Sequence, residues 1–165
     1  MSHVKNKVDW CLKKAEKELK EEGRHRGLIR IKENKELAKR HIAKAEHYIE
    51  ASLILKDNFS DISASTIFYS MYHSLLAVLA KFGYESGNQE CTFALIYSLI
   101  ENKDIDLLKK EIDKVSLINS EEESAVELRE KYQYGVELSM KEDIFNENFE
   151  LAKKLLGKVK EIIER

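Results

Sequence analysis

The chain has 165 residues, with 28 basic and 30 acidic side chains and a formal charge of −2. That length suits one domain with a real core, and the charge balance excludes a global attraction to nucleic acid or anionic membrane. Charged residues reach 35%, yet a hydrophobic fraction of 43% spread along the chain excludes disorder. Proline is absent, where average usage predicts about eight, and there are six glycines. Long helices with short connections follow, because Pro ends helices and Gly weakens them.

In chain order, Val4, Val8, Cys11, Leu12, Ala15 and Leu19 recur every three or four residues and predict a first amphipathic helix to Glu22. Met1 to Leu12 lacks the apolar run and cleavage site of a signal peptide, so the cytoplasm is the expected location. Gly23 and Gly27 bracket a basic connector, Arg24-His25-Arg26, and Leu28 to Ile31 read as a short extended or irregular passage. Arg24, Arg26, Arg30 and Lys32 form the densest basic patch that acids do not dilute, a candidate phosphate contact. A second helix is predicted from about Glu33 to Lys56, with Leu37, Ile42, Ala45, Ile49 and Leu53 on one face.

Asp57 to Asp61 are turn residues that offer an N-cap, and a central helix runs from there to Phe82, closed by Gly83. From Ile62 to Ala80 this helix carries no charged residue, nearly enough to span a bilayer. Interleaved Ser, Thr and His favour a buried bundle helix instead, so no membrane partner is expected. Ser86-Gly87-Asn88 opens the next helix, Asp104 can cap a short one, Ser120 with Glu123 and Ser139 with Glu142 make capping boxes, and Phe145 to Ile163 run at helical spacing to the end. No segment alternates long enough to propose a sheet. The expected fold is all-α, a compact up-and-down bundle of about six or seven helices in a single domain 1–165. Within it, residues 1–32 form an N-terminal helical appendage and basic connector on a main bundle, 33–165.

The sequence offers little chemistry of its own. It has no phosphate-binding glycine loop and no zinc-type cysteine pair, and no pair of Glu-x-x-His motifs on helices such as a ferritin-like iron site needs. Neither metal nor cofactor is expected. Cys11 and Cys91, 80 residues apart, read as two small buried hydrophobes rather than a disulfide framework. His41 and His47 lie six apart and read as solvated helix-surface histidines. His73, among Tyr69, Met71 and Tyr72, is either a core histidine bonded to a neighbouring helix or the lining of a polar pocket.

Three stretches carry a resemblance: Ala45-Glu46-His47-Tyr48-Ile49-Glu50-Ala51, Ile67-Phe68-Tyr69-Ser70-Met71-Tyr72-His73-Ser74-Leu75-Leu76 followed by Gly83, and Arg129-Glu130-Lys131-Tyr132-Gln133-Tyr134-Gly135. Over roughly residues 33 to 160 the chain resembles HEPN domains (higher eukaryotes and prokaryotes nucleotide-binding), closest to small stand-alone archaeal and bacterial members, whose Gly-Leu-Ile-Arg entry resembles Gly27 to Arg30. The resemblance implies a helical bundle that forms a homodimer with a cleft near its two-fold axis. It also implies either metal-independent ribonuclease activity or the toxin half of a toxin–antitoxin pair with a minimal nucleotidyltransferase. Ribonuclease relatives carry Arg followed four to six residues later by His. Here Arg129 is present, but Tyr134 stands where the His would be. With a pKa near 10, a tyrosine is about 0.1% phenolate at pH 7, and general-base help worth about 10² to 10⁴-fold is lost with the imidazole.

The residues therefore favour nucleotide or RNA-phosphate binding over cleavage. Arg129, Tyr132, Tyr134, His73 and Tyr69 are the candidate binding residues. Arg129 contributes a phosphate-matching fork, and the tyrosines contribute stacking faces. The alternatives are Arg129 pairing with a nearby carboxylate while the tyrosines cover the core, a weak ribonuclease using Tyr134 or His73 as base, and a protein-interaction module without a ligand.

Overall fold

The computed structural model describes residues 2–116 and 122–165. It is a helical bundle whose described elements run α1 (His3–Glu22), β1 (Leu28–Arg30), α2 (Lys35–Leu55), α3 (Ser60–Lys81), β2 (Tyr84–Ser86), α4 (Gln89–Glu101), α5 (Lys109–Ser116), α6 (Ala125–Tyr134) and α7 (Glu142–Glu164). The expected all-α fold and helix number are found.

Helix α3 is the axis. Ile67, Phe68, Met71, Leu75, Val78 and Leu79 are all sealed from solvent, and α2, α6 and α7 pack around it. Its length and apolar character would let it cross a membrane, but it is largely buried inside the bundle. The hydroxyls that interrupt the apolar run have a defined use. Ser70 Oγ donates to the Ala45 carbonyl at 2.9 Å, Ser63 Oγ to the Ser52 carbonyl at 3.4 Å, and Ser52 Oγ meets Thr66 Oγ1 at 2.7 Å. Small side chains at these positions let α2 and α3 approach closely, and each buried hydroxyl finds a partner.

Helix ends partly follow the expected signals. Asn34 and Asn88 cap α2 and α4 by accepting from the N–H groups of Leu37 and Cys91. Gly83 takes the left-handed conformation (φ 79°) just beyond α3. Other predicted caps are replaced. Phe59, which has no side-chain acceptor, precedes α3 without a side-chain cap, and Ser60 in the first turn accepts from the N–H of Met140 at 2.7 Å. Asp104 lies one turn too early for α5, which starts at Lys109. Ser120 lies outside the described residues, and the box that opens α6 joins Ser124 and Glu127. Ser139 and Glu142 make no box, since α7 starts at Glu142 itself after Lys141.

Two further expectations are corrected. A small antiparallel sheet forms, with Leu28, Ile29 and Arg30 opposite Ser86, Glu85 and Tyr84; three residues per strand leave no alternation to read. Cys11 and Cys91 are joined as a disulfide, both fully buried, which fastens α1 to α4. Gly27 completes this corner, because a Cβ there would lie 2.7 Å from the Cys11 carbonyl oxygen.

Candidate functional site

The α2–α3 pair brings together one aromatic and histidine-rich face. Positions 41, 44 and 48 of α2 follow helical spacing, as do 69, 72 and 73 of α3. His41 Nδ1 and His73 Nδ1 lie 3.0 Å apart, so one neutral ring donates and the other accepts. Tyr48 stacks on His73 with centroids 5.7 Å apart, and Tyr69 leans on Tyr48 at the same separation. Lys44 Nζ sits 5.1 Å over the Tyr48 ring. All four rings are half-buried.

Burial sets the protonation of this face. Loss of solvent, then the neighbouring His41 and Lys44, pushes His73 down to about 4. Loss of solvent and the Arg40 cation lower His41, against the pull of Glu85. Both imidazoles are thus neutral near pH 7. His73 is bonded to a neighbouring helix, as one of its two expected roles required. His41 is half-buried and engaged rather than solvated, which corrects its reading; His47 is exposed. A signal for the pair existed: His41 with His73, Ala45 with Ser70 and Ser52 with Ser63 lie at nearly equal distances on either side of Asn58, as partners across an antiparallel helical hairpin must.

The α6 candidates are arranged differently. Arg129 points inward, with its side chain 10% exposed and its Cζ 4.5 Å over the Phe68 ring. Its Nη2 is 3.5 Å from Glu130 Oε1, and its buried Nε has no hydrogen-bond partner among the described residues. Tyr134 is 76% exposed. Five residues along a helix amount to about 140° of rotation, so these two cannot share a face. Tyr132 is half-buried against the core, with Lys131 over its ring. Arg129 lies over Phe68, which in turn stacks on Tyr72 at 6.0 Å and meets Tyr69 edge-on.

The basic patch is not concentrated. Glu22 pairs with Arg24 at 3.7 Å and Glu85 with His25 at 3.3 Å, while Glu18 accepts from the Arg26 backbone N–H. Arg30 lies over Tyr84 and donates to its hydroxyl at 3.1 Å; Lys32 is exposed. Acids from the end of α1, close in sequence, and Glu85 from β2, far from it in sequence, dilute what the local run suggested. Among the described residues no three His, Cys, Asp or Glu side chains converge as a metal cluster. Neither protein-family models nor curated proteins give a match to this chain.

Proposed function

We propose that the chain is a HEPN-like protein that binds nucleotide or single-stranded RNA, as one component of a nucleotidyltransferase-associated module of the toxin–antitoxin type. The observation carrying this reading is the Tyr48–Tyr69–His73 stack with Lys44 above it. Aromatic rings accept any base face, and flanking cations hold the phosphate. Lys44 and Arg40 supply those charges, whereas the buried Arg129 acts as a support beneath the rings. Binding is favoured over cleavage because an imidazole held near 4 is a poor base at neutral pH.

Homodimerisation and a protein partner belong to the same reading. They are supported by exposed apolar side chains at one end, Ile54, Phe59, Ile62, Val136 and Leu138, brought together where Met140 bonds to Ser60. Light scattering that returns a monomer would remove the dimer. A cytoplasmic location is also part of the proposal; a buried disulfide is compatible with it in hyperthermophiles, to which the Lys and Glu content is suited.

The deciding experiment is fluorescence anisotropy with labelled single-stranded RNA and with ATP analogues. Base stacking is worth about 1–3 kcal/mol per base, so Tyr48→Ala is expected to weaken binding about tenfold or more, with Lys44→Ala reducing its salt dependence. Unchanged affinity in both variants would remove the assignment.

A further inference from the structure

We propose that the cavity bounded by α2, α3 and β2 is a guanine-selective base site, with His41 and Glu85 reading the edge of the ring. The inference deepens the nucleotide-binding reading and rests on it. The cavity holds about 250 Å³, just below the about 300–1,000 Å³ of pockets that take whole small molecules. That is room for one heterocycle, with the rest of the ligand left outside. Leu37 from α2 and Leu76 and Leu79 from α3 line it, walls suited to the flat faces of a base.

Few polar groups of the lining are left to face a ligand. Among the described residues, Tyr84 Oη accepts from Arg30 at 3.1 Å, and Ser86 Oγ donates to the Asn88 carbonyl and accepts from Thr92 Oγ1, both at 2.9 Å. His41 uses Nδ1 against His73 at 3.0 Å, and Glu85 uses Oε1 against His25 Nε2 at 3.3 Å. His41 Nε2 and Glu85 Oε2 remain. With His73 donating to His41, the His41 Nε2 carries the proton and is a donor. The His25 side chain is 10% exposed, and its buried Nδ1 has no partner among the described residues. Its hydrogen bonding there goes to Glu85, which steadies the carboxylate at the rim.

The lining therefore offers one donor together with a two-oxygen acceptor. Among the four bases guanine shows the complement on one edge, the O6 acceptor beside the N1–H and N2–H donors. Adenine and cytosine place a ring-nitrogen lone pair next to their amino group, and uracil flanks its N–H with carbonyls. Each of these would set a lone pair against the carboxylate. Along α2, His41, Lys44 and Tyr48 follow one another at intervals of about one helical turn, about 5 Å. A base beside His41 thus directs its phosphate toward the exposed Lys44, and a following base in a strand continues to the Tyr48 stack.

The test is calorimetry of the full chain with GMP, IMP, AMP and UMP, and anisotropy with labelled single-stranded RNA that contains guanine or lacks it. GMP, or the guanine-containing strand, is expected to bind about tenfold or more tighter than AMP, UMP or the strand without guanine. IMP, which keeps O6 and N1–H and lacks the 2-amino group, should fall between GMP and AMP. Glu85→Gln replaces one acceptor by a donor and should abolish the preference; the wild-type series decides the matter if that variant does not fold. A preference seen with GMP itself assigns a free nucleotide, and one seen only in the strand assigns RNA. Equal affinities for all bases, still weakened by Tyr48→Ala, would overturn this site and leave the nucleotide-binding reading standing. Absence of any binding would overturn both.

Discussion

The α2–α3 face and the start of α6 both hold aromatic rings and cations, yet they differ in which way the cation points. Lys44 lies above an accessible ring, over Tyr48. Arg129 lies beneath a sealed one, over the fully buried Phe68. A cation over an exposed ring can exchange that ring for a ligand's phosphate. A guanidinium packed into the core contributes mainly through its stem and the ring it covers. The residue type best suited to phosphate is here spent on packing, whereas the less specialised Lys44 is exposed.

The sharpest way to break this comparison is at Phe68, where the two regions meet. Phe68→Ala empties a sealed core position and is expected to cost about 3–5 kcal/mol in urea unfolding, and to loosen the Tyr69–Tyr72 rings as well. A loss below 1 kcal/mol would mean that the ring does not join the two regions. Next comes Arg129→Ala, expected to lower stability by about 2 kcal/mol through a desolvated cation–π contact. The exposed Tyr134→Ala should stay within about 0.5 kcal/mol. Equal effects from the two would show that Arg129 is not buried.

A separate effect concerns pH. His73 is held near 4, below its unfolded value of about 6.5, so between these values the unfolded chain binds more protons. Stability attributable to this ring is therefore full above pH 6.5 and declines as pH falls toward 4. His73→Gln should flatten that part of the unfolding-versus-pH curve. An unchanged slope would place the ring in open solvent.

How much of this was legible follows from the range of each signal. Helix positions were readable because 3.6-residue periodicity is local, and the buried character of α3 followed from its uncharged run. The inward turn of Arg129 was latent in the sequence: its helical neighbours Ala125, Val126 and Leu128 are apolar and buried, whereas Tyr134 sits beside Gly135 and Val136 beyond any periodic face. The histidine pair needed the α2–α3 hairpin to be drawn first. The disulfide could not be read from spacing, because 80 residues separate its ends and only the packing of α1 on α4 brings them together. Only the Glu85 part of the basic patch's dilution had the same cause, since it reaches His25 from β2; Glu18 and Glu22 stood beside the patch in the sequence.

The Cys11–Cys91 bond gives the polypeptide the topology of a loop with two tails. Everything from the middle of α1 to the start of α4, including α2, α3 and both strands, lies on the closed circuit. A stretching force applied at Met1 and Arg165 would pass through the sulfur bridge and bypass that circuit. Only the first turns of α1 and the stretch beyond Cys91 could lengthen, so the chain carrying the tyrosine and histidine face would bear no tension while α5 to α7 were drawn away.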